Sequence, residues 1–135
     1  GYAYLTRTYQ DGDAIELSFD MTPFKVYAST QVPADTGKAA VQRGPLVYCA
    51  ESMDNDGDVL SLAFAEEGGI REEPFEQDLL GGVVPLVVEG WRTQPVSTLY
   101  SRERPQRKPA DIRLIPYYTW GNRGLGQMRV WLPET

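Results

Sequence analysis

The chain has no histidine and a single cysteine. The first absence removes the side chain most used as a general base near neutral pH. It also leaves any zinc site to oxygen ligands almost alone, which is unusual for that metal. One cysteine excludes an internal disulfide. Cys49 lies in the apolar run Pro45-Leu-Val-Tyr-Cys-Ala-Glu51 and reads as a small buried hydrophobe, since no residue nearby suggests a base to activate it. Long apolar runs are lacking too. The longest, Val83-Val-Pro-Leu-Val-Val88, is broken by proline and far short of a bilayer span. The N-terminus shows no basic stretch followed by an apolar one, so no signal peptide is visible. Opening on Gly1-Tyr2 without methionine suggests a fragment. Positive charge is scarce: 13 Lys and Arg stand against 19 Asp and Glu, a net charge of −6. That balance speaks against nucleic acid and against an anionic membrane as partners. The one basic run, Arg102-Glu-Arg-Pro-Gln-Arg-Lys108, contains a glutamate and a proline and reads as a solvated loop. No metal or other cofactor is expected, and a soluble, cytoplasmic setting is slightly favoured.

What the chain does have is turn chemistry and β-formers. Ten prolines and thirteen glycines punctuate 135 residues rich in Tyr and Val, which favours short strands over helices. Tyr2–Tyr9 and Ala14–Met21 flank Gln10-Asp-Gly-Asp13 and read as a hairpin. In the second arm Ile15, Leu17, Phe19 and Met21 share one face, the clearest period-two pattern in the sequence. Further strands are expected at Phe24–Ala28, Leu46–Ala50, Val59–Phe64, Val83–Trp91, Val96–Tyr100 and 111–120, with a weaker one at Phe75–Leu80. Gly44-Pro45 suggests a bulge or bend, and Pro85 suggests an edge position or a bulge for its strand. The last stretch, Ile115 to Leu132, reads as an aromatic strand, a Gly/Asn turn and a returning strand, that is, a second hairpin. The sum is an all-β antiparallel sandwich or jelly roll without substantial helix.

Residues that could carry chemistry are few. Glu51-Ser-Met-Asp-Asn-Asp-Gly-Asp58 resembles a calcium loop at first sight, but its glycine and final carboxylate are misplaced, and it reads as a solvated hairpin or linker. A glycosidase-like pair of carboxylates finds candidates only in polar, turn-rich surroundings. Glu51, directly after an apolar strand, is the least ordinary of them. Among the aromatics, alternation puts Tyr118 and Trp120 on one face and Tyr117 on the other. Trp91, Tyr118, Trp120 and Trp131 are therefore the candidates for contact with a sugar ring or a neighbouring domain, packing being the stronger reading.

Three ordered segments resemble glycoside hydrolase family 127, the β-L-arabinofuranosidase group. They are Gly1-Tyr2 with Arg7 and Gly12-Asp13; Arg43-Gly-Pro-Leu-Val-Tyr-Cys-Ala-Glu51; and Ile115-Pro-Tyr-Tyr-Thr-Trp-Gly-Asn-Arg-Gly124 followed by Met128-Arg-Val-Trp131. Tyr9 stands where the family's pattern has Trp. The resemblance implies that the active site belongs to an (α/α)6 barrel outside this chain, with a Cys nucleophile, a Glu acid/base and a zinc held by Cys and Glu. None of those motifs occurs here, so no catalytic residue is carried over. It implies a non-catalytic β-sandwich accessory region, with residues 1–52 and 127–135 in one sandwich and 53–126 in a second. The implied partner is the barrel of the parent chain. Self-association through open sheet edges, and carbohydrate binding as an independent module, are the further expectations.

Overall fold

A computed structural model describes residues 2–79 and 81–135, and it is built from short strands and three single-turn 3-10 segments. Among the described residues there are nine strands: β1 Pro23–Tyr27, β2 Lys38–Arg43, β3 Leu46–Glu51, β4 Leu62–Phe64, β5 Ile70–Glu72, β6 Leu86–Thr93, β7 Arg107–Pro116, β8 Met128–Arg129 and β9 Leu132–Pro133. The main path runs β1-β2-β3-β7-β6-β4, and all the paired strands are antiparallel. The all-β antiparallel class read from the sequence is the observed one.

The sheet curls on itself around one core. Ala39 pairs with Tyr27 of β1 and also with Leu132 of β9, so β9 lies on the β3 side of β2. There the β2–β3 hairpin has opened, and β8 pairs with the far end of β3 through Ala50 and Glu51. The chain end then reaches β4. Phe64 forms a parallel bridge with Glu134, and the Thr135 amide donates to the Phe64 carbonyl at 2.9 Å. The Lys25 ammonium, nearly buried, locks this closure by donating to Ala65 O at 2.6 Å and to Glu134 Oε1 at 2.7 Å. Alternating residues of the strands fill the inside: Val41, Tyr48, Ala50, Leu62, Phe64, Leu86, Val88, Ile112, Leu114 and Leu132 form one cluster. The buried Tyr48 hydroxyl donates to the Val84 carbonyl at 2.8 Å, so its polar end is satisfied.

Several expectations change in detail. The N-terminal hairpin does not form. Its turn is present, with Gly12 at φ +87° and the Asp13 amide donating to Gln10 O at 3.1 Å. The arms remain extended without a ladder, and Ile15, Leu17 and Phe19 are more than half exposed. A two-stranded hairpin is marginal by itself, and the apolar face finds no layer in this chain to cover it. Gly44-Pro45 is neither bulge nor bend within a strand but the two-residue turn of the β2–β3 hairpin, with Gly44 at φ +54°. Pro85 precedes β6 and costs no ladder bond, so β6 runs between β7 on one side and β4 and β5 on the other instead of at an edge. Residues 96–100 form no strand and belong to the exposed β6–β7 loop. Within 75–80 only Glu76 makes a bridge, to Val83, and Leu80 lies outside the described residues. The closing segments are not a hairpin with each other. β7 and β8 both pair with β3, because a 3-10 turn at Tyr117–Thr119 redirects the chain after Pro116.

Candidate functional site

Where β3 ends and the 117–127 loop crosses it, the molecule gathers its buried polar groups. Glu51 closes β3 and is 5% exposed, since its backbone pairs with Met128. Its carboxylate accepts from the Gly121 amide at 2.7 Å and from the Arg123 guanidinium at 2.5 Å. Arg123 also donates to Asp54 Oδ1 at 2.9 Å, so one guanidinium bridges two carboxylates. Asp54 in turn accepts from Arg113 of β7 at 3.1 Å. Arg113 continues to Glu73 at 2.8 Å and to Glu76. Four acids and two arginines thus tie four segments of the chain together.

Local structure makes the cluster possible. Asn55, 2% exposed, donates from Nδ2 to the Glu51 and Arg113 carbonyls at 2.8 and 2.9 Å, and its Oδ1 accepts from the Arg113 amide at 3.1 Å. It staples the 52–58 turn to β7. Ser52 and Gln127 exchange two bonds: the Ser52 amide donates to Gln127 O at 2.9 Å, and the Gln127 amide to Ser52 Oγ at 3.0 Å. Thr119 Oγ1 donates to Pro116 O at 2.6 Å, and Asn122 Nδ2 to Thr119 O at 2.9 Å. The 117–127 loop is therefore held at both ends and in its middle.

The electrostatics follow from burial and pairing. Burial of Asp54 opposes its charged form, but the Arg123 and Arg113 guanidiniums outweigh this and hold its carboxyl below the ordinary 3.8. Arg123 is pushed up, chiefly by its bond to Asp54 and against a cost of burial. Cys49, fully buried beneath this region, has its thiol pushed up to about 12, first by burial and then by the Glu51 charge. A thiol in that state is a poor nucleophile.

Above the cluster the loop presents aromatics. Tyr117 and Trp120 stack with ring centroids 6.5 Å apart and planes 28° apart. Both are 44% exposed, and Tyr118 is 63% exposed. The face assignment made from alternation does not hold, because Tyr117–Thr119 form a 3-10 turn, with Trp120 as its extended cap, and not a strand. A cleft of about 210 Å³ lies between Trp120, Glu51, Met53, Leu125 and Gln127. The other aromatic candidates lie elsewhere. Trp91 is on β6, opposite Pro109 and Ala63, beside a shallow cleft it shares with Glu89 and Asp111. Trp131 is partly buried in the bend between β8 and β9. The four candidates thus do not line one common cleft.

Sequence reading singled out Glu51 but missed Arg123, Arg113, Asp54 and Asn55, the residues that complete the cluster. Gly121-Asn-Arg-Gly124 carries the only local hint, an arginine placed inside a turn. The acidic stretch 51–58 is neither a solvated hairpin nor a linker: it is a pinned turn, and Asp54 is paired with two arginines. Among the described residues no group of three or more His, Cys, Asp or Glu side chains is arranged to hold a metal ion. No helix among them is long and apolar enough to cross a membrane.

A curled antiparallel sheet whose buried charges are spent on its own loops is the class of domain that fold and cluster define. Its family is equally plain. Residues 23–133 match the glycoside hydrolase family 127 C-terminal domain. The chain is 40% identical over 137 residues to a non-reducing end β-L-arabinofuranosidase of Bifidobacterium longum subsp. longum, covering 96% of this chain and 21% of the relative. Its fold is similar to that of a family 127 β-L-arabinofuranosidase from Geobacillus stearothermophilus T6, with TM-score 0.80 and 38% identity over 85% of this chain and 18% of that one. A second family 127 β-arabinofuranosidase structure matches with TM-score 0.76 and 36% identity over 87% of this chain and 18% of that one. The chain belongs to glycoside hydrolase family 127, as its C-terminal domain. It spans about a fifth of the length of the relatives it matches.

Proposed function

We propose that this domain is a non-catalytic accessory of a β-L-arabinofuranosidase-like glycoside hydrolase, packing on and supporting a catalytic barrel. The observation that carries the reading is the state of Glu51 and Asp54. Hydrolysis of a glycosidic bond needs two carboxyl groups facing each other across room for a sugar, one of them able to donate a proton. Here Glu51 and Asp54 converge on one guanidinium, and each carboxylate is committed to structural partners: Glu51 also to the Gly121 amide, Asp54 also to Arg113. Among the other acids, Glu73 and Glu76 are paired with Arg113, Glu134 with Lys25, Glu72 with Arg43 and Asp111 with Arg71.

Two assays test this. The 135-residue chain is incubated with an aryl β-L-arabinofuranoside, and no turnover above the uncatalysed rate is expected. Separately, the matched stretch is removed from the Bifidobacterium enzyme, and a lower unfolding temperature is expected. Turnover by the isolated chain would overturn the reading, as would a truncated enzyme with unchanged stability.

A further inference from the structure

We infer that the 117–127 loop, together with Met53 beside it, is the surface by which this domain docks on the remainder of a family 127 polypeptide; the inference rests on the accessory reading. The loop exposes large apolar groups in a small area. Tyr117, Tyr118 and Trp120 are 44, 63 and 44% exposed, Met53 is 52% exposed, and Leu125 is open to solvent on all sides. Aromatic residues and Met are the types enriched at the centres of protein interfaces, where a few of them carry most of the binding energy.

The loop is also held in place before any partner arrives. Glu51 grips it through Gly121 and Arg123, Asp54 through Arg123, and Ser52 through Gln127. A surface loop that only connects strands needs no buried ionic clamp. A clamp that fixes aromatic rings in one arrangement lowers the ordering cost of binding.

The chemistry of the occupant follows from what the loop keeps for itself. Both carboxylates beneath the cleft are paired, the Gly121 and Gln127 amides are donated inward, and Gln127 Oε1 accepts from the Val59 amide at 3.2 Å. The Tyr117 and Tyr118 hydroxyls and the Trp120 indole N–H remain for polar contacts, whereas the bulk of the outward offering is apolar. That fits a protein surface with an apolar depression. The relatives carry further chain that could present such a surface, since about four-fifths of their length lies outside the matched stretch. Docking within one polypeptide also enjoys a high effective concentration, so a patch of a few aromatic groups is sufficient.

The test uses the intact Geobacillus enzyme, whose fold superposes on this chain. Aspartate is substituted, singly, at the positions that superpose on Trp120, on Leu125 and, as a control, on Tyr100 of the exposed β6–β7 loop. Protease release of the C-terminal domain is expected to rise about tenfold for the first two, equivalent to losing one good contact, and to stay unchanged for the third. In the 135-residue chain, Trp120→Asp is expected to leave the circular dichroism and the unfolding temperature unchanged, which separates docking from folding. If removing the whole domain destabilises the enzyme but the aspartates do not, the accessory reading stands and this surface is wrong. A saturable fluorescence response of the isolated chain to arabino-oligosaccharides, lost in Trp120→Ala, would also overturn the assignment in favour of sugar.

Discussion

Two regions of the molecule expose aromatic and aliphatic side chains, and they differ in what lies under them. Residues 2–22 carry Tyr2, Tyr4, Leu5, Tyr9, Ile15, Leu17 and Phe19 on the surface. Their hydrogen bonds are short-range ones such as Arg7 to Asp13 at 2.9 Å and the Gln10 amide to Asp13 at 3.0 Å. The 117–127 loop exposes Tyr117, Tyr118, Trp120 and Leu125, yet it rests on Glu51, Asp54, Arg123 and Ser52, which come from distant parts of the chain. Exposure is thus the same signal in both places with two causes. In the first region an apolar face has no layer to pair with. In the second, tertiary contacts hold the side chains outward.

Four substitutions or conditions sharpen that contrast. Leu132→Ala, at the buried exit of the loop, is expected to cost about 2–5 kcal/mol through the cavity it leaves, read from urea unfolding. A loss below 1 kcal/mol would mean that the C-terminal strand is not part of the core. Next comes Arg123→Met, which leaves Glu51 without its cation and Asp54 with Arg113 alone. A loss of about 3 kcal/mol is expected, with faster amide exchange confined at first to 117–127; an unchanged loop would break the comparison.

The third expectation concerns acid. The folded-state carboxyl of Asp54 titrates below its ordinary 3.8, so its contribution is complete above about pH 4 and is lost as pH falls through the lower folded value. Asp54→Asn should therefore lower stability at pH 7 and flatten the acid limb of a stability–pH curve. A mutant curve parallel to the parent's down to pH 2 would contradict the coupling. The smallest effect is at the other region. Replacing Ile15, Leu17 and Phe19 together by Ser should change stability by no more than about 0.5 kcal/mol, because these side chains bury little. A loss of 2 kcal/mol would show that the segment packs after all.

The contrast also shows what could be read from the residues alone. Many strands with a partner in the chain were legible, although β5 and the first residues of β7 were not. Leu46–Ala50 lies within β3 and Phe24–Ala28 overlaps β1, because apolar content and flanking turns suffice there. The cleanest alternation of all, Ile15 to Met21, gave no strand, since periodicity specifies a face but not what covers it. Tyr117–Thr119 misled in the opposite way: β-forming residues after Pro116 take a 3-10 turn, as tertiary contacts outweigh a propensity worth at most about 1 kcal/mol. The ionic cluster was nearly invisible, because Glu51 and Arg123 are 72 residues apart. Short-range spacing carries no trace of such a pair; the position of Glu51 after an apolar strand and the arginine inside the 121–124 turn are the local hints.

Native-state hydrogen exchange of the 135-residue chain, followed amide by amide, tests the central claim most directly. The account predicts that Gly121, Trp120 and Gln127 are protected nearly as well as β7, while residues 2–22 exchange at rates close to those of an unfolded chain. If Gly121 exchanged as fast as Gly12, the loop would not be held in place, and the preformed docking surface would fall with it.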